Sequence, residues 1–358
     1  MIENDMMNSH GRLIFSDDVV RDTEKAVAAC GYDRLFVLVD ENTSQYCWPV
    51  LQRSDVLRDA YLITIGCGDV CKTLDTVVQV WQALGEHGAT RHSCMVCLGG
   101  GMVTDLGGFA ASTFKRGIDF INVPTTLLAQ VDASVGGKTG FNFGGLKNEI
   151  GLFSESRSVI VSTQFLKTLH QTDLLSGYAE MLKHALISGA EAWRELVAFD
   201  ILHPDWARLQ CMVAASVAVK ERIVAEDPTE KGLRRALNFG HTVGHAFESW
   251  AMAKGKPIPH GYAVAYGLVC ELYLSCVKTG LPIERLRQAS AFVREHYGRI
   301  IFTCDDYPDL LRLMRHDKKN TAGHINCTLL ADLGDVRIDQ TVAEKEITEA
   351  LDFYRDGQ

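Results

Sequence analysis

Two histidines, His241 and His245, stand four residues apart in the run NFGHTVGHAFE, which puts both imidazoles on one face of a helix, one turn apart. His260 follows on what reads as the loop before the next helix. Glu180 and Lys183 share a helix face in SGYAEMLKHALI. One carboxylate and two imidazoles from separate elements, with a fourth position open, are the donor set of a catalytic zinc site. Satisfied core or surface histidines would leave the same letters, and spacing alone would choose His241 with His245 as the ligand pair. A second group is Gly99-Gly100-Gly101 followed by Met-Val-Thr-Asp105, set between an apolar run and an apolar helix. Glycines let a backbone approach a pyrophosphate, and a helix N-terminus favours the anion there. The pattern is not GxGxxG, so a plain glycine-rich turn stays open. Gly136-Gly137-Lys138-Thr139 lacks the glycine that a phosphate-binding loop needs at position 132, where Asp132 stands. No strand directly precedes it, so a nucleoside-triphosphatase is excluded, while Lys138 remains a candidate for an anionic group. Arg116, Lys138, Lys147, Lys183, Lys220, Arg234, Lys318 and Lys319 form a further set, all but Lys220 close to a Gly, Asn or His motif. Singly each reads as a solvated charge; together they suggest a pocket for phosphate and carboxylate groups.

The elements that must position these residues alternate in the first half. Short apolar runs at 35–39, 61–65, 94–98, 119–123 and 158–162 end in turn chemistry and predict strands. Helical patterns at 18–30, 72–87 and 106–114 lie between them. Strands alternating with helices predict an α/β domain with a mostly parallel, Rossmann-like sheet, whose ligands bind at the carboxyl ends of the strands. From position 174 the periodicity is helical, with expected helices over 174–188, 205–226, 240–253, 261–279, 283–297 and 307–317. A strand is expected at 325–331. Thr341 and Glu344 have capping-box spacing for a last helix. The reading is an α/β domain over 1–172 and a mainly α-helical domain over 173–358, with the active site in the cleft between them.

The chain has 358 residues, enough for about two domains. Its 36 basic and 45 acidic residues give a net charge of −9, which argues against a nucleic-acid partner. It says nothing against a small anion in one pocket. No apolar run of about 18 residues predicts a membrane span, and the acidic start MIENDMMNSH does not read as a signal peptide. The 11 scattered cysteines, Cys94 and Cys97 included, read as buried reduced thiols, and the expected location is cytoplasmic.

Seven stretches carry a resemblance: GGGMVTDLGGFAASTFKRGIDFINVPTTLLAQVDASVGGKTG, LKNEIG, FLKTL, SGYAEMLKHALI, GLRRALNFGHTVGHAFE, HGYAVAYGL and HDKKN. In order and over nearly the whole chain they resemble the 3-dehydroquinate synthases of the sugar-phosphate cyclase family. The resemblance implies NAD and Zn2+ (or Co2+) as cofactors and a small anionic sugar-phosphate as substrate. It also implies a homodimer, with neither nucleic acid nor membrane as partner. It implies that Asp40, Asn42, Asp69, Lys72, Gly99, Gly100, Gly101, Asp105, Thr125, Thr126, Lys138, Lys147, Thr168, Leu169 and Asp173 form the NAD site. Glu180, His241 and His260 would hold the metal, leaving His245 to substrate and proton transfer. Substrate contacts would come from Arg116, Asp132, Lys138, Asn148, Lys183, Lys220, Arg234, Asn238 and one of Lys318 or Lys319.

The implied reaction converts 3-deoxy-D-arabino-heptulosonate 7-phosphate to 3-dehydroquinate and phosphate. NAD takes a hydride transiently, phosphate is eliminated, the hydride returns, and an intramolecular aldol step closes the ring. Lys138, Asn148, Lys183 and His245 would gather the leaving phosphate, and Arg234 with a C-terminal lysine the carboxylate. The alternatives are another sugar-phosphate cyclase and a metal-dependent polyol or alcohol dehydrogenase of the same architecture. Two departures stand out. Asp69 and Asp173 replace the commoner Glu, one methylene shorter, and Phe141 to Gly145 differs from the usual sequence between GGKT and KN. Lys147 and Asn148 survive beyond it, so their loop is expected to keep its role.

Overall fold

The computed structural model describes residues 12–144, 146–315 and 325–356. The chain forms two compact units, one running to His170 and adding Asp205–Val217, the other made of Gln171–Pro204 and the chain from Ala218 onward.

The first unit contains strands β1 (Arg12–Phe15), β2 (Leu35–Asp40), β3 (Tyr61–Ile65), β4 (Cys94–Gly99), β5 (Asp119–Pro124), β6 (Lys138–Phe143), β7 (Leu146–Phe153) and β8 (Ser158–Val161). Its helices are α1 (Val19–Ala29), α2 (Glu41–Tyr46), α3 (Trp48–Leu51), α4 (Asp55–Arg58), α5 (Leu74–Glu86) and α6 (Gly101–Thr113). Six strands pair in the order β1-β8-β5-β4-β2-β3, every pair parallel. All residues of β2 and β4 are buried. Alternate side chains explain why. Phe36 and Leu38 pack with Val77, Val80 and Leu84 of α5 and with Leu106 and Phe109 of α6. Val37 and Val39 join Val19 and Val27 of α1 and Trp48 and Leu51 of α3 on the opposite face. A parallel sheet covered on both faces needs such continuous apolar strands. The five expected strands are all present. β1 and the antiparallel β6–β7 hairpin were not expected, and the hairpin places Lys147 and Asn148 in a strand rather than a loop.

The second unit holds α7 (Gln171–Ser188), α8 (Ala190–Val197), the latter part of α9 (Trp206–Glu226), α10 (His241–Ala253), α11 (His260–Thr279), α12 (Ile283–Tyr297), α13 (Tyr307–Arg315) and α14 (Glu344–Asp356). Strands β9 (Ile325–Asp332) and β10 (Asp335–Val342) pair antiparallel beside them. The unit is mainly helical, as the periodicity predicts. Two local expectations are corrected. His260 is the first residue of α11, not part of a loop. The capping box at Thr341 and Glu344 does not form. The Thr341 hydroxyl donates to Asn326 across the strand pair at 3.1 Å, and the start of α14 is closed by Glu346 accepting from the Ala343 N–H at 2.7 Å. Lys318 and Lys319 lie outside the described residues. No disulfide joins the cysteines, and no described helix is long and apolar enough to cross a membrane.

Candidate functional site

Three helices of the second unit bring the metal-type donors together. They approach closely because glycine lies at their crossings. A Cβ on Gly267 of α11 would sit 2.0 Å from the Gly240 carbonyl oxygen, and one on Gly261 would sit 1.8 Å from that of Ser176 in α7. Glu180 projects from α7 into this contact and is fully buried. Neither of its carboxylate oxygens has a hydrogen bond of acceptable geometry among the described residues. Three nitrogens nevertheless face it. His241 Nε2 lies 3.3 Å and His260 Nε2 lies 3.5 Å from Oε1, while Lys183 Nζ pairs with Oε2. His241 Nδ1 donates to the Phe239 carbonyl at 3.1 Å, and His260 Nδ1 donates to Glu248 Oε2 at 3.2 Å. Both rings thus turn Nε2 toward Glu180. Burial opposes ionisation of Glu180, but Lys183 and His241 hold its carboxyl well below the ordinary range. Burial lowers His241. His260 is pushed up to about 10, because Glu248 and Glu180 outweigh its burial.

A buried carboxylate without hydrogen bonds is costly, and a cation held between it and two imidazoles removes that cost. The donor set of one oxygen and two nitrogens suits zinc or cobalt. His245 belongs to the same cluster, its ring 5.1 Å from that of His241 and 5.7 Å from that of His260. The donor atoms of the three histidines lie within 4.8 Å of one another. The pair chosen by spacing alone therefore also meets in space.

Basic groups of the same unit are buried as well: Lys183, Lys220 and Arg234. Arg234 Nη1 donates to the Pro228 carbonyl at 2.7 Å, and Asn238 Nδ2 donates to Glu230 Oε1 at 2.9 Å. The loop presenting them is fixed by Asp227, whose carboxylate accepts from the N–H groups of Lys231, Gly232 and Arg234 at 3.0, 2.7 and 3.1 Å. Two buried carboxylates were missed in the sequence. Glu271 of α11 accepts from the Gly240 and Val243 N–H groups at 2.7 and 3.1 Å, capping α10 where Gly240 offers no side chain. Glu248 follows His241 and His245 at helical spacing, and that spacing was the available signal.

Of the residues expected at the dinucleotide, Asp40, Asn42, Gly99, Gly100, Gly101, Thr125 and Thr126 lie at the carboxyl ends of β2, β4 and β5 in the first unit. Asp40 caps α2, accepting from the Thr43 N–H at 2.7 Å, and Asn42 is exposed in the first turn of that helix. Gly100 is the N-cap of α6 and brings no side chain to it, so the first N–H groups of that helix have no side-chain cap. The Thr125 N–H donates to the Gly99 carbonyl at 2.9 Å, and Thr126 Oγ1 accepts from Ala129 at 3.2 Å. Lys72 is buried between Asp105, at 2.6 Å, and Asn148 Oδ1. Asn142 donates to Asp69 at 3.2 Å, and Lys147 pairs with Asp69 at 3.3 Å. Asp69, Lys72, Asp105, Lys147 and Asn148 thus form one group, in which Asn148 takes a left-handed backbone with φ of 50°. Asn148, expected at the substrate, is here bonded to an expected cofactor residue. Thr168 is exposed and donates to the Phe165 carbonyl at 3.2 Å, with half-buried Leu169 beside it. Arg116 and Lys138 are exposed, Asp132 lies in the turn Ala129–Ala133, and Asp173 is exposed in the first turn of α7.

Residues 62–176 match the family model described as 3-dehydroquinate synthase N-terminal, and residues 177–320 the one described as 3-dehydroquinate synthase C-terminal. The 3-dehydroquinate synthase of Parabacteroides distasonis is 49% identical over 98% of this chain and 99% of its own. Among solved structures, the 2-epi-5-epi-valiolone synthase of Streptomyces hygroscopicus, with NAD+ and Zn2+ bound, shares the fold at a TM-score of 0.86, with 24% identity and 98% of each chain covered. A 2-deoxy-scyllo-inosose synthase complexed with carbaglucose-6-phosphate, NAD+ and Co2+ gives 0.84 at 22% identity, covering 95% of this chain and 96% of that one. With both halves matched in order and half of all residues shared with a full-length relative, the chain belongs to the 3-dehydroquinate synthase family.

Proposed function

We propose that the protein is a 3-dehydroquinate synthase, converting 3-deoxy-D-arabino-heptulosonate 7-phosphate to 3-dehydroquinate with release of phosphate, a step of the shikimate pathway. The observation that carries this reading is the fully buried Glu180 carboxylate, without a hydrogen bond among the described residues and faced by the Nε2 atoms of His241 and His260. Those three residues are assigned to a divalent metal, zinc or cobalt, and the residues around the β2, β4 and β5 ends to NAD. When bound, NAD accepts and returns a hydride, and the metal polarises the oxygen of the carbon being oxidised.

The chain's own residues do the rest. Lys183 keeps Glu180 ionised. His245, outside the three-ligand set, is assigned to proton transfer during phosphate loss. Lys138, Asn148, Lys183 and Lys220 are assigned to substrate oxygens, with Arg116, Asp132 and Asn238. Arg234, a planar bidentate donor, is assigned to the substrate carboxylate with one of Lys318 or Lys319. Arg234 and Asn238 would exchange their bonds to Pro228 and Glu230 for bonds to substrate. A simple dehydrogenase would not need so many basic groups, and the identity to the Parabacteroides relative favours the cyclase. We further assign the enzyme to the cytoplasm and to a homodimer; light scattering at twice the monomer mass checks the latter.

The test is incubation with the heptulosonate phosphate, NAD and Zn2+, following phosphate and dehydroquinate together. Equal amounts are expected. Phosphate without dehydroquinate, or NADH accumulating with a simple polyol, would contradict the reading.

A further inference from the structure

We propose that Glu248 is a positioning residue for the metal centre: it fixes the ring of His260 so that Nε2 is the donor. The proposal rests on the assignment of His260 as a metal ligand. The geometry that supports it is specific to this ring. Glu248 lies on α10 and His260 opens α11, so the contact crosses between two helices. Glu248 is buried, and its Oε2 accepts the Nδ1 proton of His260 at 3.2 Å. Once a metal displaces the second proton, an imidazole that donates from Nδ1 holds its lone pair on Nε2, the atom facing Glu180 at 3.5 Å.

The two imidazoles are held differently. His241 uses a backbone carbonyl, Phe239 O, which no side-chain substitution removes. His260 uses a carboxylate, and its side chain is still one quarter exposed. Without Glu248 that ring would be free to rotate or to take the other tautomer. A carboxylate acceptor also makes the imidazole a stronger donor to a metal than a carbonyl does.

The test measures zinc affinity by chelator competition on the metal-stripped full chain, together with its thermal midpoint. Glu248→Ala should weaken zinc by about 10–100-fold. Glu248→Gln, which keeps an oxygen acceptor but not the charge, should weaken it by less. Ala251→Gly, a buried position on the same helix whose methyl makes no hydrogen bond, is the structural control: it should lower the midpoint and leave zinc affinity unchanged. The visible spectrum of the Co2+-loaded chain should change for Glu248→Ala and not for Ala251→Gly. If Glu248→Ala does not fold, Glu248→Asp replaces it; its shorter carboxylate cannot reach His260 without a shift and should also weaken zinc. Zinc affinity within about threefold of the parent in Glu248→Ala or, if that does not fold, in Glu248→Asp would overturn the proposal, as would equal losses in Glu248→Ala and Glu248→Gln. A parent chain that binds no zinc would overturn the metal assignment itself, and this proposal with it.

Discussion

His245 and Glu180 separate two roles that spacing in the sequence had merged. His245 shares a helix face and a cluster with His241, yet the Glu180 Oε1 that Lys183 leaves free of an ion pair faces His241 and His260. His245→Ala is therefore expected to keep one zinc per chain, measured by elemental analysis, while kcat falls by about 10²–10⁴-fold, the usual worth of a proton-transfer group. Loss of zinc in that variant would place His245 among the ligands. Glu180→Ala is expected to do the opposite and lose stoichiometric zinc. At this scale the sequence was only partly legible. The motifs named the donors, but nothing in the letters says which ring nitrogen is tied down. Nor do they say that Asn148 bonds to Lys72, because those contacts join residues far apart in the chain.

The helices α10 and α11 present the imidazoles because glycine lets their backbones touch. Gly267→Ala would drive a Cβ to 2.0 Å from the Gly240 carbonyl oxygen, so it should abolish folded protein and zinc binding together, read from soluble yield and metal content. Gly85 gives the contrast. It lies in helix α5, and a Cβ added there would meet nothing within 4 Å, so Gly85→Ala should stabilise the first unit by about 0.5–1 kcal/mol, read from the urea midpoint. Elements of this kind were legible wherever an apolar run was long or bounded by turn residues, as in β2 and β4. The β6–β7 hairpin was not, because KTGFNF and LKNEIGLF carry glycine and alternate poorly, so neither strand has a period to read. β10 differs: DVRIDQTV does alternate, with Val336, Ile338 and Val342 on the more buried face, but the run is short of apolar residues and its pairing is broken by register shifts.

Over the molecule as a whole, cofactor and stability are linked. A ligand that binds the folded chain alone stabilises it, by about 4 kcal/mol at a thousand times its Kd. Chelation of zinc should therefore lower the thermal midpoint and added zinc restore it, while NAD should raise the midpoint of both forms. A midpoint indifferent to all three would contradict the assigned sites. Legibility at this scale was high for fold class, since composition, alternation of elements and long motifs agreed. It was lower for how the chain is shared between the units. Asp205–Val217, in α9, belongs with the sheet unit, where Gln210 accepts from the Thr163 N–H at 2.9 Å and donates to the Val161 carbonyl at 3.4 Å. During synthesis, then, the sheet unit cannot finish folding when His170 leaves the ribosome. It must wait for α7 and α8 of the other unit to emerge before its last helical segment arrives. Until then the carboxyl end of β8 at Val161 lacks its Gln210 partner, a stage at which a nascent-chain chaperone would find a target, and a gene cut at His170 would express all six strands of the sheet but an unfinished unit.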